Sequence, residues 1–212
     1  MFHKGIAILQ ANNQFLTNGL APYIDKEISI TMGASNKEEY VKVLGYIIDY
    51  IVASKPVIKA DQTLGYHSWI LKFVANDHET FVIHEGDKKG QGFIQGVETA
   101  IRVVADQEKE CEKFGVACIF PTFSQMLVIS KGVYEGYPVE GVRYPSPVNM
   151  CGWWLSTDLY DGNIKSLMTE HYYHLAFKRP EVLKYLALPF GYRFNLDPNG
   201  EVDVWYDEAF SR

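Results

Sequence analysis

The chain has 212 residues, 47% of them apolar, enough to bury a core without disulfide staples and too apolar for disorder. Its net charge of −6 is shared by both halves, with 12 basic and 15 acidic groups in residues 1–120 and 8 and 11 in residues 121–212. No basic stripe appears, so direct nucleic-acid binding lacks its electrostatic footprint. Cys111, Cys118 and Cys151 are an odd number without a CxxC pair, which argues against a disulfide framework or a structural zinc site and fits a reducing compartment.

The first stretch, "MFHKGIAILQANNQF", has too short an apolar core and no small-residue cleavage site for a signal peptide. The longest apolar runs, "YIIDYIVA" and "ETAIRVVA", are interrupted by charge and fall far below the ~20 residues that cross a bilayer. The expectation is a cytoplasmic protein without a membrane partner. "EISITM" (27–32) alternates as a strand. Ser35 and Glu38 then stand at capping-box spacing, and apolar residues at 40, 43, 44, 47, 48 and 51 make a helical stripe that Pro56 stops. "HSWILKFVANDHETFVIHEGD" reads as two strands around Asn76-Asp77-His78, a hairpin. "FIQGVETAIRVVADQEKECEKFG" reads as a second amphipathic helix from about Phe93, with Val97, Ile101, Val104 and Cys111 on the same side and Gly115 as its stop.

Around "GVACIFPTFSQ" (115–125) the pattern resets, which places a boundary near 116–124 between an N-terminal α+β region, 1–120, and a second α+β domain, 121–212. "MLVISKGVYEG" is a strand running into a turn, "VEGVRYPSP" a short extended piece, and "GWWLST" another strand. "MTEHYYHLAF" and "RPEVLKYLAL" read as short helical segments separated at Arg179-Pro180, because a residue before proline avoids helical geometry. At the end, Asp197-Pro198-Asn199-Gly200 suits a three-residue hairpin loop, Pro198 to Gly200. That loop pairs Leu196 with Val202, Phe194 with Val204 and Tyr192 with Tyr206 on one face. The other face pairs Asn195 with Asp203 and Arg193 with Trp205. A two-residue loop would set Phe194 against Asp203, so the pattern selects the register. The solvated strip is Glu201, Asp203, Trp205 and Asp207, with Arg193 placed to stack on Trp205. The fold class is α+β, with mixed and antiparallel sheets, packed helices and a C-terminal β-hairpin.

Enzyme-like patterns stay incomplete. In "HEGDKKGQGFIQG" a strand, a glycine loop with Lys88 and Lys89, and a helix start would suit phosphate, but Gly90-x-Gly92-x-x-x-Gly96 departs from the dinucleotide fingerprint and no GK[ST] follows. His171 and His174 sit at i and i+3 beside Glu170, without the i, i+4 spacing of a zincin or a third ligand. "DLYDGN" lacks the remaining ligands of a calcium loop, and no G-x-S-x-G is present. No catalytic, cofactor-binding or metal-binding residue is assigned.

Trp153 and Trp154 are adjacent, so on a strand their rings face opposite ways. Either one anchors a core while the other stays free for contact, or both are buried, one under each layer. The Val-Ile-Ser-Lys strand (128–131), the Gly136-Tyr-Pro-Val139 turn, Gly152-Trp153 with its strand, and the Leu-x-x-Pro-x-Gly-x-x-Phe run at 186–194 leading into the last hairpin resemble the bacterial Immunity protein 33 family. The resemblance covers about residues 126–206. Where family members carry a Met-Tyr-Arg-Glu-Glu-like segment before the Gly-Trp, this chain has "GVRYPSPVN".

The resemblance implies a small α+β domain that neutralises a co-encoded toxin of a polymorphic bacterial system. The expectation is a non-enzymatic immunity-type protein that occludes its cognate toxin through Trp154, Asp158, Tyr160, Asp161, Asp203, Trp205 and Asp207. The alternative is a nucleotide- or phosphate-binding enzyme using the glycine-rich loop at 86–96.

Overall fold

The computed structural model describes residues 1–76 and 80–211, and the chain forms two compact units, Met1–Val103 and Val104–Arg212. Both combine sheet and helix, so the fold class is α+β.

The N-terminal unit holds strands β1 (Phe2–His3), β2 (Ile6–Ala11), β3 (Gln14–Asn18), β4 (Glu27–Thr31), β5 (Thr63–Tyr66), β6 (Trp69–Ala75), β7 (Thr80–Gly86) and β8 (Phe93–Gln95). They make one sheet in the order β1-β2-β3-β4-β7-β6-β5, with β8 on β7; β4 and β7 run parallel and the other pairs antiparallel. The N-terminal stretch, read only for what it excludes, supplies the β1–β3 meander, with Ile6, Ile8 and Phe15 turned inward. A single turn, α1 (Ala21–Ile24), leads into β4.

Helix α2 (Lys37–Ser54) keeps its expected stripe: Tyr40, Val43, Leu44, Ile47, Ile48 and Ile51 are all fully buried. Lys55, in left-handed geometry ahead of Pro56, ends it. The capping box does not form. Asn36 is the N-cap residue, and the Ser35 hydroxyl instead donates to Glu98 at 2.8 Å, a carboxylate that also accepts from the Tyr40 hydroxyl. A tertiary partner has outcompeted the local one. β6 and β7 pair antiparallel as expected of a hairpin. Of its expected turn, Asp77 and His78 lie outside the described residues.

Helix α3 (Glu98–Lys113) begins five residues later than its apolar spacing suggests. Phe93–Gln95 is a strand, β8, paired with β7 through His84–Gln95, Glu85–Ile94 and Gly86–Phe93. Gly96 at φ +108° separates strand from helix, a backbone state that side chains resist. The helix terminates as expected, with Gly115 at φ +64°. The division between the units falls within α3.

The C-terminal unit holds β9 (Met126–Ile129), β10 (Val139–Arg143), β11 (Met150–Ser156), β12 (Met168–His171), β13 (Tyr192–Leu196) and β14 (Val202–Tyr206), in the order β12-β9-β11-β10-β13-β14. β9 and β11 are parallel; the other pairs are antiparallel. Met168–His171, expected to be helical, pairs with β9 as an edge strand, and α4 (Tyr172–Lys178) starts only after it. Arg179 then breaks the helix before a 3-10 segment at Pro180–Tyr185. The last hairpin has the expected register at all five pairs, from Tyr192–Tyr206 to Leu196–Val202.

Candidate protein-interaction surface

Strand parity builds this surface. On β11, Trp153 is fully buried and Trp154 is 39% exposed, so the first indole is an anchor and the second is presented. Trp154 stands opposite Val142 on β10, Val142 opposite Arg193 on β13, and Arg193 opposite Trp205 on β14. Residues directly opposed on neighbouring strands point to the same face, so both exposed indoles lie in one row across the outer face of the sheet. Three strand spacings separate them, about 14 Å.

The row is braced by rings and charge. The guanidinium of Arg193 lies 5.1 Å from the Trp205 ring centroid and 5.2 Å from that of Phe210, between the two. It donates to Asp207 at 3.1 Å and to Glu140. Tyr144 packs edge-on against both Trp154 and Phe210. Burial pulls Arg193 down, but the hydrogen bonds to Glu140 and Asp207 outweigh it and hold its pKa above the ordinary value.

The next row contains Ser156, Glu140, Asn195 and Asp203. Beside it runs a groove of about 270 Å³ whose lining includes Glu140, Asp158, Asn195 and Asp197. The face therefore brings together five of the expected residues: Trp154, Trp205, Asp203 and Asp207 on the strands or their ends, and Asp158 at the groove. Tyr160 and Asp161 fall in the loop beyond. There the Asp161 carboxylate accepts from the Ser166 hydroxyl at 2.7 Å and the Asn163 amide at 2.9 Å, bonds that hold its pKa below the ordinary range. Sequence reasoning passed over Glu140, Tyr144 and Phe210. The alternation of β10 carried the signal for the first two; Phe210, on a 3-10 turn, had none.

Beneath the face, Arg143 is 2% exposed and, among the described residues, has no carboxylate partner. Its guanidinium donates to the carbonyls of Cys151, Ile119, Leu186 and Leu188 and lies against the rings of Trp153 and Phe190. Burial lowers its pKa to about 10. Gly152 allows the strand to pass: at φ +85°, a Cβ there would sit 2.2 Å from the Tyr144 carbonyl oxygen.

The other candidate sites have different surroundings. Lys88 and Lys89 sit on the turn between β7 and β8, not at a helix start. At the true start of α3, the buried Glu85 carboxylate takes the amides of Thr99 and Ala100 at 2.9 and 2.7 Å. An anion would meet a carboxylate there. His174 donates to Glu170, and His171 to the Ser124 carbonyl. Among the described residues no three His, Cys, Asp or Glu side chains gather as a metal-holding group, and no helix is long and apolar enough to cross a membrane.

No curated protein and no solved structure matches the chain. The Imm33-like domain family does match, over residues 106–207, a stretch that contains the whole six-stranded sheet, so the C-terminal part of this chain is similar to the family that its sequence resembles.

Proposed function

We propose that this protein is a cytoplasmic immunity-type protein that binds a cognate bacterial toxin and neutralises it by occlusion, without catalysis of its own. The contact surface is the outer face of the C-terminal sheet, with Trp154 and Trp205 as anchors and Asp158, Asp203 and Asp207 around them. Tyr160 and Asp161 extend it along the loop. The observation that carries this reading is the exposure of two indoles in one cross-strand row, on a sheet whose other face is filled by Trp153 and Phe194. Large aromatic side chains on a rigid scaffold contribute disproportionately to binding, and a surrounding polar rim excludes water. The phosphate alternative is disfavoured by the strand at Phe93–Gln95 and by Glu85 on the helix amides.

The test is co-expression with a candidate toxin domain taken from the product of the neighbouring gene. The wild-type chain restores growth and co-purifies with the toxin, whereas the Trp154→Ala/Trp205→Ala variant, folded by circular dichroism, does neither. Full protection by that variant would move the interface elsewhere. Absence of any toxin binding by the wild type would remove the reading.

A further inference from the structure

The outer face of the C-terminal sheet is unbalanced in charge. Glu140, Asp158, Asp197, Glu201, Asp203 and Asp207 stand on it or at its border, against the single guanidinium of Arg193, which Glu140 and Asp207 already engage. The other described cations of residues 121–212 do not offset this. Arg143 and Arg179 are buried, and Lys131, Lys165, Lys178 and Lys184 lie outside the six strands. Indole faces attract cations through the ring quadrupole, as Arg193 already shows at Trp205, and carboxylates attract them directly. Two chemically distinct features thus select one sign of charge.

The spacing narrows the partner further. About 14 Å along the row from Trp154 to Trp205 corresponds to four residues of extended chain at ~3.4 Å each, whose side chains at i, i+2 and i+4 share a face. The middle position would lie over Val142 and Arg193, where a third cation is repelled and a neutral or apolar side chain is accepted. We infer that this face docks a basic, extended segment of the partner protein, with Lys or Arg at i beside Trp154, Lys or Arg at i+4 against the Trp205 edge where Glu201 and Asp203 outweigh Arg193, and an uncharged residue at i+2. This rests on the interface reading above and specifies what the partner presents to it.

The test titrates the full chain with labelled extended peptides that differ at i, i+2 and i+4, followed by anisotropy. The Lys-Val-Lys peptide binds and the Glu-Val-Glu peptide does not; Lys at all three positions binds more weakly than Lys-Val-Lys. Glu201→Gln/Asp203→Asn lowers affinity about threefold or more, and Trp154→Ala/Trp205→Ala about tenfold. Equal binding of the Lys and Glu peptides, or Lys-peptide binding unaffected by both face variants, overturns the inference. A toxin that binds the wild type but not Trp154→Ala/Trp205→Ala, and is indifferent to salt and to Glu201→Gln/Asp203→Asn, upholds the interface and overturns the basic segment alone.

Discussion

Arg143 and Trp153 face each other across β10 and β11 and donate to the same acceptor, the carbonyl oxygen of Leu186, at 3.1 and 2.8 Å. The pair ties the segment after the 3-10 turn to the inner face of the sheet, and Arg143 also reaches Ile119 and Leu188. A buried cation whose hydrogen bonds go to carbonyls gains nothing from ion pairing there; its contribution is to satisfy several main-chain acceptors at once. Arg143→Met, close in volume, is expected to cost about 2–4 kcal/mol in urea unfolding, because several carbonyls lose their donor at once. An unchanged midpoint would show that those oxygens find other partners.

Adjacent tryptophans separate stability from binding. Trp153→Ala empties a filled core position and is expected to cost about 3–5 kcal/mol. Trp154→Ala removes a ring that is 39% exposed and is expected to cost about 1 kcal/mol or less, while weakening toxin binding. Denaturation and binding measured on both variants check this. A severe stability loss in Trp154→Ala would mean that its ring braces Tyr144 more than it faces a partner.

How much of this was legible in the residues depends on length and on local determinants. The last hairpin was fully readable because Pro198 to Gly200 fixes the loop and a one-residue slip would bury Asp203. The α2 stripe was readable because it repeats over about three turns. Phe93–Gln95 and Met168–His171 were misread as helix, since three or four residues carry too little periodicity and their pairing partners, β7 and β9, lie elsewhere in the chain. Ser35 looked like a cap until Glu98, 63 residues away, offered a better acceptor. Of the candidate surface, Trp205 and Asp203 followed from strand parity, whereas for Trp153 and Trp154 parity gave only opposite faces. The placement of Trp154 and Trp205 in one row did not follow, because it depends on β10 lying between β11 and β13.

Gly152 is expected to be intolerant of any side chain. Its φ of +85° is already unfavourable for other residues, and the added Cβ would meet a backbone oxygen, which cannot turn away as a side chain does. Gly152→Ala should therefore cost about 3 kcal/mol or more. A thermal midpoint within a few degrees of wild type would require β11 to shift away from Tyr144.

Acid should destabilise the N-terminal unit partly through Glu27. Burial pushes this carboxyl up, but bonds from the Thr17 hydroxyl and the amides of Ala21, Gly19 and Leu20 outweigh it, leaving the pKa below the ordinary 4.5. A carboxyl depressed in the folded state contributes stability that is fully present above its unfolded pKa and is lost as pH falls through the folded value. Glu27→Gln should be less stable than wild type at pH 7, and the difference should shrink below about pH 4.5. Urea unfolding of both proteins across that range measures it; a difference independent of pH would assign the effect to shape and not to charge.

Arg193 and Trp205 provide a test of the outer face that needs no partner. Single substitutions are hard to interpret, because Arg193 also holds Glu140 and Asp207. A double-mutant cycle with Arg193→Gln and Trp205→Leu cancels those contributions and leaves the coupling between guanidinium and indole. With the ring 37% exposed and the guanidinium 5.1 Å from its centroid, that coupling is expected at about 0.5–1 kcal/mol, and it should survive moderate salt better than the exposed part of the Arg193–Glu140 pair. A coupling indistinguishable from zero would mean that Arg193 does not hold Trp205 in place, and the second anchor of the row would then be free to turn away from the position that the 14 Å spacing requires.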